Sequence, residues 1–99
     1  MSWANFHIEK LSRGETVQFR PKGNSMTGKI ENGQLCTVEP LKGPPEPGDI
    51  VLCTVRGNQL VHLVTAIREG QFQISNNKNF VNGWITLKQI HGKLVRVEP

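Results

Sequence analysis

Few side chains in this 99-residue chain could do chemistry, and each has a plain structural explanation beside the chemical one. Ser25 stands in the turn-like Gly23-Asn24-Ser25-Met26, and His62 lies in an apolar run, Leu60-Val61-His62-Leu63-Val64. A serine hydroxyl is a weak nucleophile until a base takes its proton, and imidazole titrates near neutrality. Neither position announces such a role by itself. Serine and asparagine satisfy local backbone groups in turns, and a histidine on an apolar strand is most often a hydrogen-bonded core residue. His7 and His91 have no partner at metal-ligand spacing and read as surface or structural residues, so no metal site is expected. Cys36 alternates with Val38, and Cys53 with Val51 and Val55, which fits two buried free thiols. Gly23-Asn24-Ser25-Met26-Thr27-Gly28-Lys29 matches the start of a phosphate-binding loop, but Ile30 replaces the Mg²⁺-binding hydroxyl. Ile30-Glu31-Asn32-Gly33 also breaks any helix that should follow, so the match is accidental.

These residues must be positioned by strands. Residues 2–13 predict one short helix, with Ser2 as N-cap, Trp3, Phe6, His7 and Leu11 on one face, and Gly14 as the stop. Beyond Gly14 the period shortens to two: Val17 and Phe19 alternate with polar neighbours up to Pro21. Strand-like runs recur at Leu35–Glu39, Ile50–Arg56, Gln59–Ile67, Gln71–Ser75, Trp84–Leu87 and Lys93–Val97. The class is mostly β. Arg56-Gly57 and Glu69-Gly70 supply residues that tolerate positive φ, which predicts two tight hairpins and a three-stranded meander from Ile50 to Ser75. Pro40 to Gly48 holds four prolines and two glycines and reads as a loop. The expected organisation is one domain, with a helical segment over residues 1–14 packed on a β-domain over 15–99.

An ordered set of short motifs then adds a resemblance. Gly23-Asn24-Ser25-Met26 is followed by Ile30-Glu31-Asn32-Gly33-Gln34-Leu35, by Gly48-Asp49-Ile50-Val51, by Val61-His62-Leu63-Val64 and by Ile90-His91-Gly92-Lys93-Leu94-Val95. From Gly23 to Val97 the chain resembles the LexA and signal-peptidase superfamily. That resemblance implies a compact β-fold carrying a serine peptidase site, with Ser25 as nucleophile and a general base on a later strand. In LexA-like and bacterial signal peptidases the base is a lysine; in the archaeal and endoplasmic reticulum type it is a histidine in a Val-His-Arg-Val context, the place held here by His62. By the same resemblance, the backbone N–H groups around Ser25 and Met26, in a turn shaped by Gly23 and Asn24, would stabilise an oxyanion. Three features depart from the family pattern. Gly28 replaces a proline, Leu63 replaces an arginine, and residues 75–79 hold no acid to orient His62. Asn76, Asn77 or Asp49, the only aspartate, are the candidates for that task, and Lys22 and Lys29 are the alternative bases.

Composition bounds the rest. The net charge is +4 with the twelve Lys and Arg spread along the chain, so nucleic acid is only weakly supported as a partner. The first nine residues have no basic region followed by an apolar run, and no stretch suffices to cross a membrane, so a cytoplasmic protein without a membrane partner is expected. No cofactor is implied. The leading expectation is a serine endopeptidase-type domain, active or degenerate, that holds an extended peptide or protein as an added strand. A non-catalytic protein-binding module on the same fold is the alternative, and a small basic β-barrel for nucleic acid is the third. A second copy of the chain, as a homodimer, completes the expected partners.

Overall fold

A computed structural model describes residues 3–99. Helix α1 (Asn5–Ser12) is followed by strands β1 (Val17–Phe19), β2 (Leu35–Glu39), β3 (Ile50–Val55), β4 (Asn58–Arg68), β5 (Gln71–Ser75), β6 (Val81–Thr86) and β7 (Ile90–Glu98), with a 3₁₀ turn at Leu87–Gln89. All strands join one antiparallel sheet in the order β1-β2-β7-β3-β4-β5-β6. The mostly β class expected from alternation is therefore observed. The hairpins form where expected: Arg56-Gly57 and Glu69-Gly70 both have positive φ at both positions, the twist that suits two-residue connections.

The inner strand β3 is buried on both faces. Ile50 and Leu52 pack with β1, β2 and α1, whereas Val51, Cys53 and Val55 pack with Phe72, Ile74 and Ile85. The sheet is curled enough that β6 returns against β3, where a Cβ on Gly83 would lie 3.3 Å from Val55 Cγ1. This return places residues of β6 near the middle of β4.

The helix differs from expectation in two ways. It is described from Asn5, with Ala4 at the N-cap position, and Ser2, the expected cap, lies outside the described residues. Its buried stripe is Ala4, Ile8 and Leu11, spaced i, i+4, i+7, while Phe6 is exposed under Lys10. Phe6 falls about 170° from the middle of that stripe on a helical wheel, since each residue turns about 100°. Strands β6 and β7 also begin earlier than expected, at Val81 and Ile90, because Asn82-Gly83 and His91-Gly92 weaken the alternation there.

Leu11 of the helix meets the sheet at Gly92 of β7, where β2 also passes close. A Cβ there would lie 2.7 Å from Glu39 O and from Val38 Cγ1, and 3.1 Å from Leu11 Cδ1. Backbone cannot yield as a flexible side chain can. Gly92→Ala is expected to lower the free energy of unfolding by about 1–3 kcal/mol, read from urea denaturation with an unchanged m-value; a change within experimental error would show that β2 and the helix both yield at this contact.

Candidate active site

Ser25 sits in the long connection between β1 and β2, which is irregular but firmly anchored. A hydrogen-bonded turn starts at Ser25, with Lys29 and Ile30 N–H groups donating to Met26 O, and Met26 and Ile30 enter the core at 5% exposure each. Burying two such side chains contributes about 1.5–3 kcal/mol each. Gly23 N–H donates to Asn32 Oδ1, Gly33 N–H to Pro21 O, and Asn24 O accepts from both Thr27 N–H and Thr27 Oγ1. Asn77, beyond β5, ties the loop to the sheet: its N–H donates to Ser25 O at 3.0 Å and its Nδ2 to Thr27 O at 2.7 Å. Gly28 belongs to this lock. Its φ of +99° is inaccessible to proline, its N–H donates to Glu31 Oε2, and a Cβ would press on Asn77 Nδ2 at 3.1 Å. The departure from the expected proline at this position is therefore a requirement of the loop geometry.

His62 lies mid-strand on β4, paired with Val51 of β3 and only 7% exposed. Its Nε2 is 3.0 Å from Ser25 Oγ, and its Nδ1 is 2.7 Å from Asn82 Oδ1. With Asn82 presenting its acceptor, Nδ1 carries the proton and donates it, which leaves the Nε2 lone pair to accept from the Ser25 hydroxyl. Burial holds the imidazole pKa below its ordinary 6.5, and the Asn82 hydrogen bond opposes that shift only in part. At neutral pH the ring is an uncharged base.

Asn82 was not among the residues singled out from sequence. Ser75 pairs with Val81 and Ile74 with Gly83, so Asn82 is the extra residue of a β-bulge, a device that re-aims a side chain. The candidates for orienting His62 are occupied elsewhere. Asn76 Oδ1 accepts from Lys78 and Phe80 N–H, Asn77 holds the serine loop, and Asp49 accepts from Glu46 N–H and faces Lys93 at 3.5 Å. Neither Lys22 nor Lys29 bonds to Ser25 Oγ among the described residues; Lys22 instead lines the adjoining cleft.

That cleft has a volume of about 480 Å³ and runs between the segment Arg20 to Gly23 and the start of β4. Its β4 wall is an unpaired edge. Val64 exchanges backbone hydrogen bonds with Gly48 and Asp49 on the β3 side, so alternation turns the N–H and C=O of Leu63, Val61 and Gln59 the other way. The β4–β5 ladder ends at Leu63 and Ser75, which leaves Val61 and Gln59 facing the cleft without a strand partner. The N–H groups of Ser25 and Met26, two residues of the lining, donate to no acceptor among the described residues. A hydroxyl, a neutral base, two uncommitted N–H donors and an open strand edge thus share one cleft.

A family model described as Peptidase S24-like matches residues 5–95. The chain belongs to that family. The match embraces the serine loop, β4, the bulge of β6 and most of β7, and it bears out the resemblance to LexA and signal peptidases over all of the cleft lining but Trp3. No curated protein matches the chain.

The remaining reactive groups are set apart from this arrangement. Cys36 and Cys53 are free and buried, with Cys53 pushed up to about 12 by burial, so neither ionises near neutrality. His91 Nε2 meets Thr54 Oγ1 at 2.8 Å, and the half-buried His7 ring packs on Phe19 with centroids 4.9 Å apart. Among the described residues no group of three His, Cys, Asp or Glu side chains could hold a metal ion.

All three imidazoles are held below their ordinary 6.5, burial being the main cause in each. Above that value both folded and unfolded chains keep them neutral; as pH falls below it the unfolded chain takes up protons first. The stability they contribute is therefore complete above pH 6.5 and lost as pH falls toward their folded values. Urea unfolding at pH 7.5 and 5.0 is expected to give a lower midpoint at pH 5.0, and His91→Gln is expected to shrink that difference. An equal midpoint at both values would contradict the burial of these rings.

Proposed function

We propose that this S24-like chain is a serine endopeptidase in which Ser25 attacks a peptide carbonyl and His62 is its general base. Asn82 holds the His62 tautomer. The observation that carries the reading is the continuous chain Ser25 Oγ to His62 Nε2 at 3.0 Å and His62 Nδ1 to Asn82 Oδ1 at 2.7 Å. His62 takes the hydroxyl proton as the Ser25 oxygen bonds to the carbonyl carbon, and the N–H groups of Ser25 and Met26 receive the charge that moves onto the carbonyl oxygen. The protonated imidazole then gives its proton to the leaving amine, and a water molecule, activated by the same base, releases the acyl group from Ser25. Substrate enters as a strand against Gln59 and Val61, whose free N–H and C=O groups match an extended backbone.

Asn82 explains both the promise and the limit of this machinery. An amide oxygen fixes the tautomer as a carboxylate would, but it carries no charge to stabilise the imidazolium formed in the transition state. That neutrality favours a second reading, in which the same cleft holds a peptide without cutting it.

A fluorophosphonate probe separates the two. Wild type is expected to be labelled at Ser25, with Ser25→Ala silent and His62→Ala slowed about 10³-fold or more. Asn82→Ala is expected to slow labelling about 10–100-fold through loss of the tautomer lock. Asn82→Asp should restore it and move the acid limb of the pH–rate profile upward, because a carboxylate favours the charged ring. If wild type stays unlabelled while its cleft still binds peptide, the protein is a binding module.

A further inference from the structure

The cleft carries charge that hydrolysis does not use. Arg20 and Lys22 line the wall leading to Ser25, and Glu31 is the one carboxylate of the lining. Glu31 Oε2 is already engaged by Gly28 N–H at 2.8 Å. Arg20 is held in place by one bond, Nη1 to Gly33 O at 2.8 Å, which leaves its other donors uncommitted, and the Lys22 ammonium has no hydrogen bond or ion pair among the described residues. The rest of the lining near Ser25 is apolar, from Met26, Ile30 and Leu60, with Trp3 half-exposed and set edge-on to Phe19.

Lys22 stands three residues before Ser25, and Gln59 three before His62, and all four line the same cleft. We propose that the cleft selects an extended peptide with an apolar side chain at the bond presented to Ser25 and an acidic side chain that meets the basic wall of Arg20 and Lys22. This rests on the cleft being the peptide site. A peptide suits it better than a nucleic acid strand, since Gln59 and Val61 offer paired N–H and C=O groups to a backbone. Among the described residues Trp3 is also the only Trp, Tyr or Phe in the lining, too few for successive bases.

The test uses Ser25→Ala protein, which cannot consume its ligand, to retain peptides from a randomised library. The best binder is then remade as three twins with Glu, Gln or Lys at the selected position, and each is titrated by fluorescence anisotropy. The Glu twin is expected to bind about fivefold tighter than the Lys twin, with the gap narrowing in high salt. Adding Lys22→Glu is expected to reverse the order. Equal binding of the three twins overturns the inference, as does a preference that survives Lys22→Glu unchanged. A single-stranded oligonucleotide that displaces the peptide at lower concentration than the Glu twin also overturns it, in favour of nucleic acid. Fluorophosphonate labelling of wild type, run beside these titrations, keeps the two readings apart: labelling without charge preference sinks the selectivity alone, and charge preference without labelling sinks hydrolysis alone.

Discussion

The seating of one irregular loop on the sheet is the constraint from which the site follows. Ser25 belongs to no strand and no helix, so its place beside His62 depends on Met26 and Ile30 reaching the core and on Asn77 gripping Ser25 O and Thr27 O. Apolar burial supplies most of the energy, and the two hydrogen bonds supply direction, at about 0.5–1.5 kcal/mol each. The first keeps the loop down and the second decides which way its hydroxyl faces. Gly28 lets both operate together, because any side chain there would push Asn77 away.

The other half of the arrangement comes from irregularity within the sheet. A perfectly regular β6 would have matched Asn82 to Ser75 and left its side chain committed to the alternation of the strand. The bulge adds one residue and aims that side chain at His62 Nδ1. A second bulge at Thr65, between Val64 and Ala66, lets its hydroxyl meet Ser75 Oγ at 2.9 Å, so β5 is pinned close to the point where its ladder with β4 stops. Beyond that point the open edge of β4 begins. Loop, bulge and ladder end thus converge on the same few residues of β4.

Electrostatically the site is quiet. Its base is kept neutral by burial, its orienting partner is an amide, and its only formal charges lie along the wall in Arg20, Lys22 and the engaged Glu31. A neutral base needs little support in the ground state, but the imidazolium must then be stabilised by dipoles alone. On the proposed reading, the chain stands between an acid-assisted triad and a bare dyad.

The amino-acid sequence by itself determined the class, the spans of the first five strands and the hairpins, because period-two alternation and positive-φ turn pairs are local properties read within a few residues. Ordered motifs also pointed to Ser25 and His62. The helix face was misread at Phe6, since the stripe through Ala4, Ile8 and Leu11 is chosen by which side meets Gly92, and that contact is remote in sequence. Only tertiary structure decided what orients the histidine. Asn82 sits 20 residues from His62 and owes its aim to a one-residue slip between β5 and β6, and strand pairing of that kind depends on backbone hydrogen bonds that leave no pattern in side-chain types.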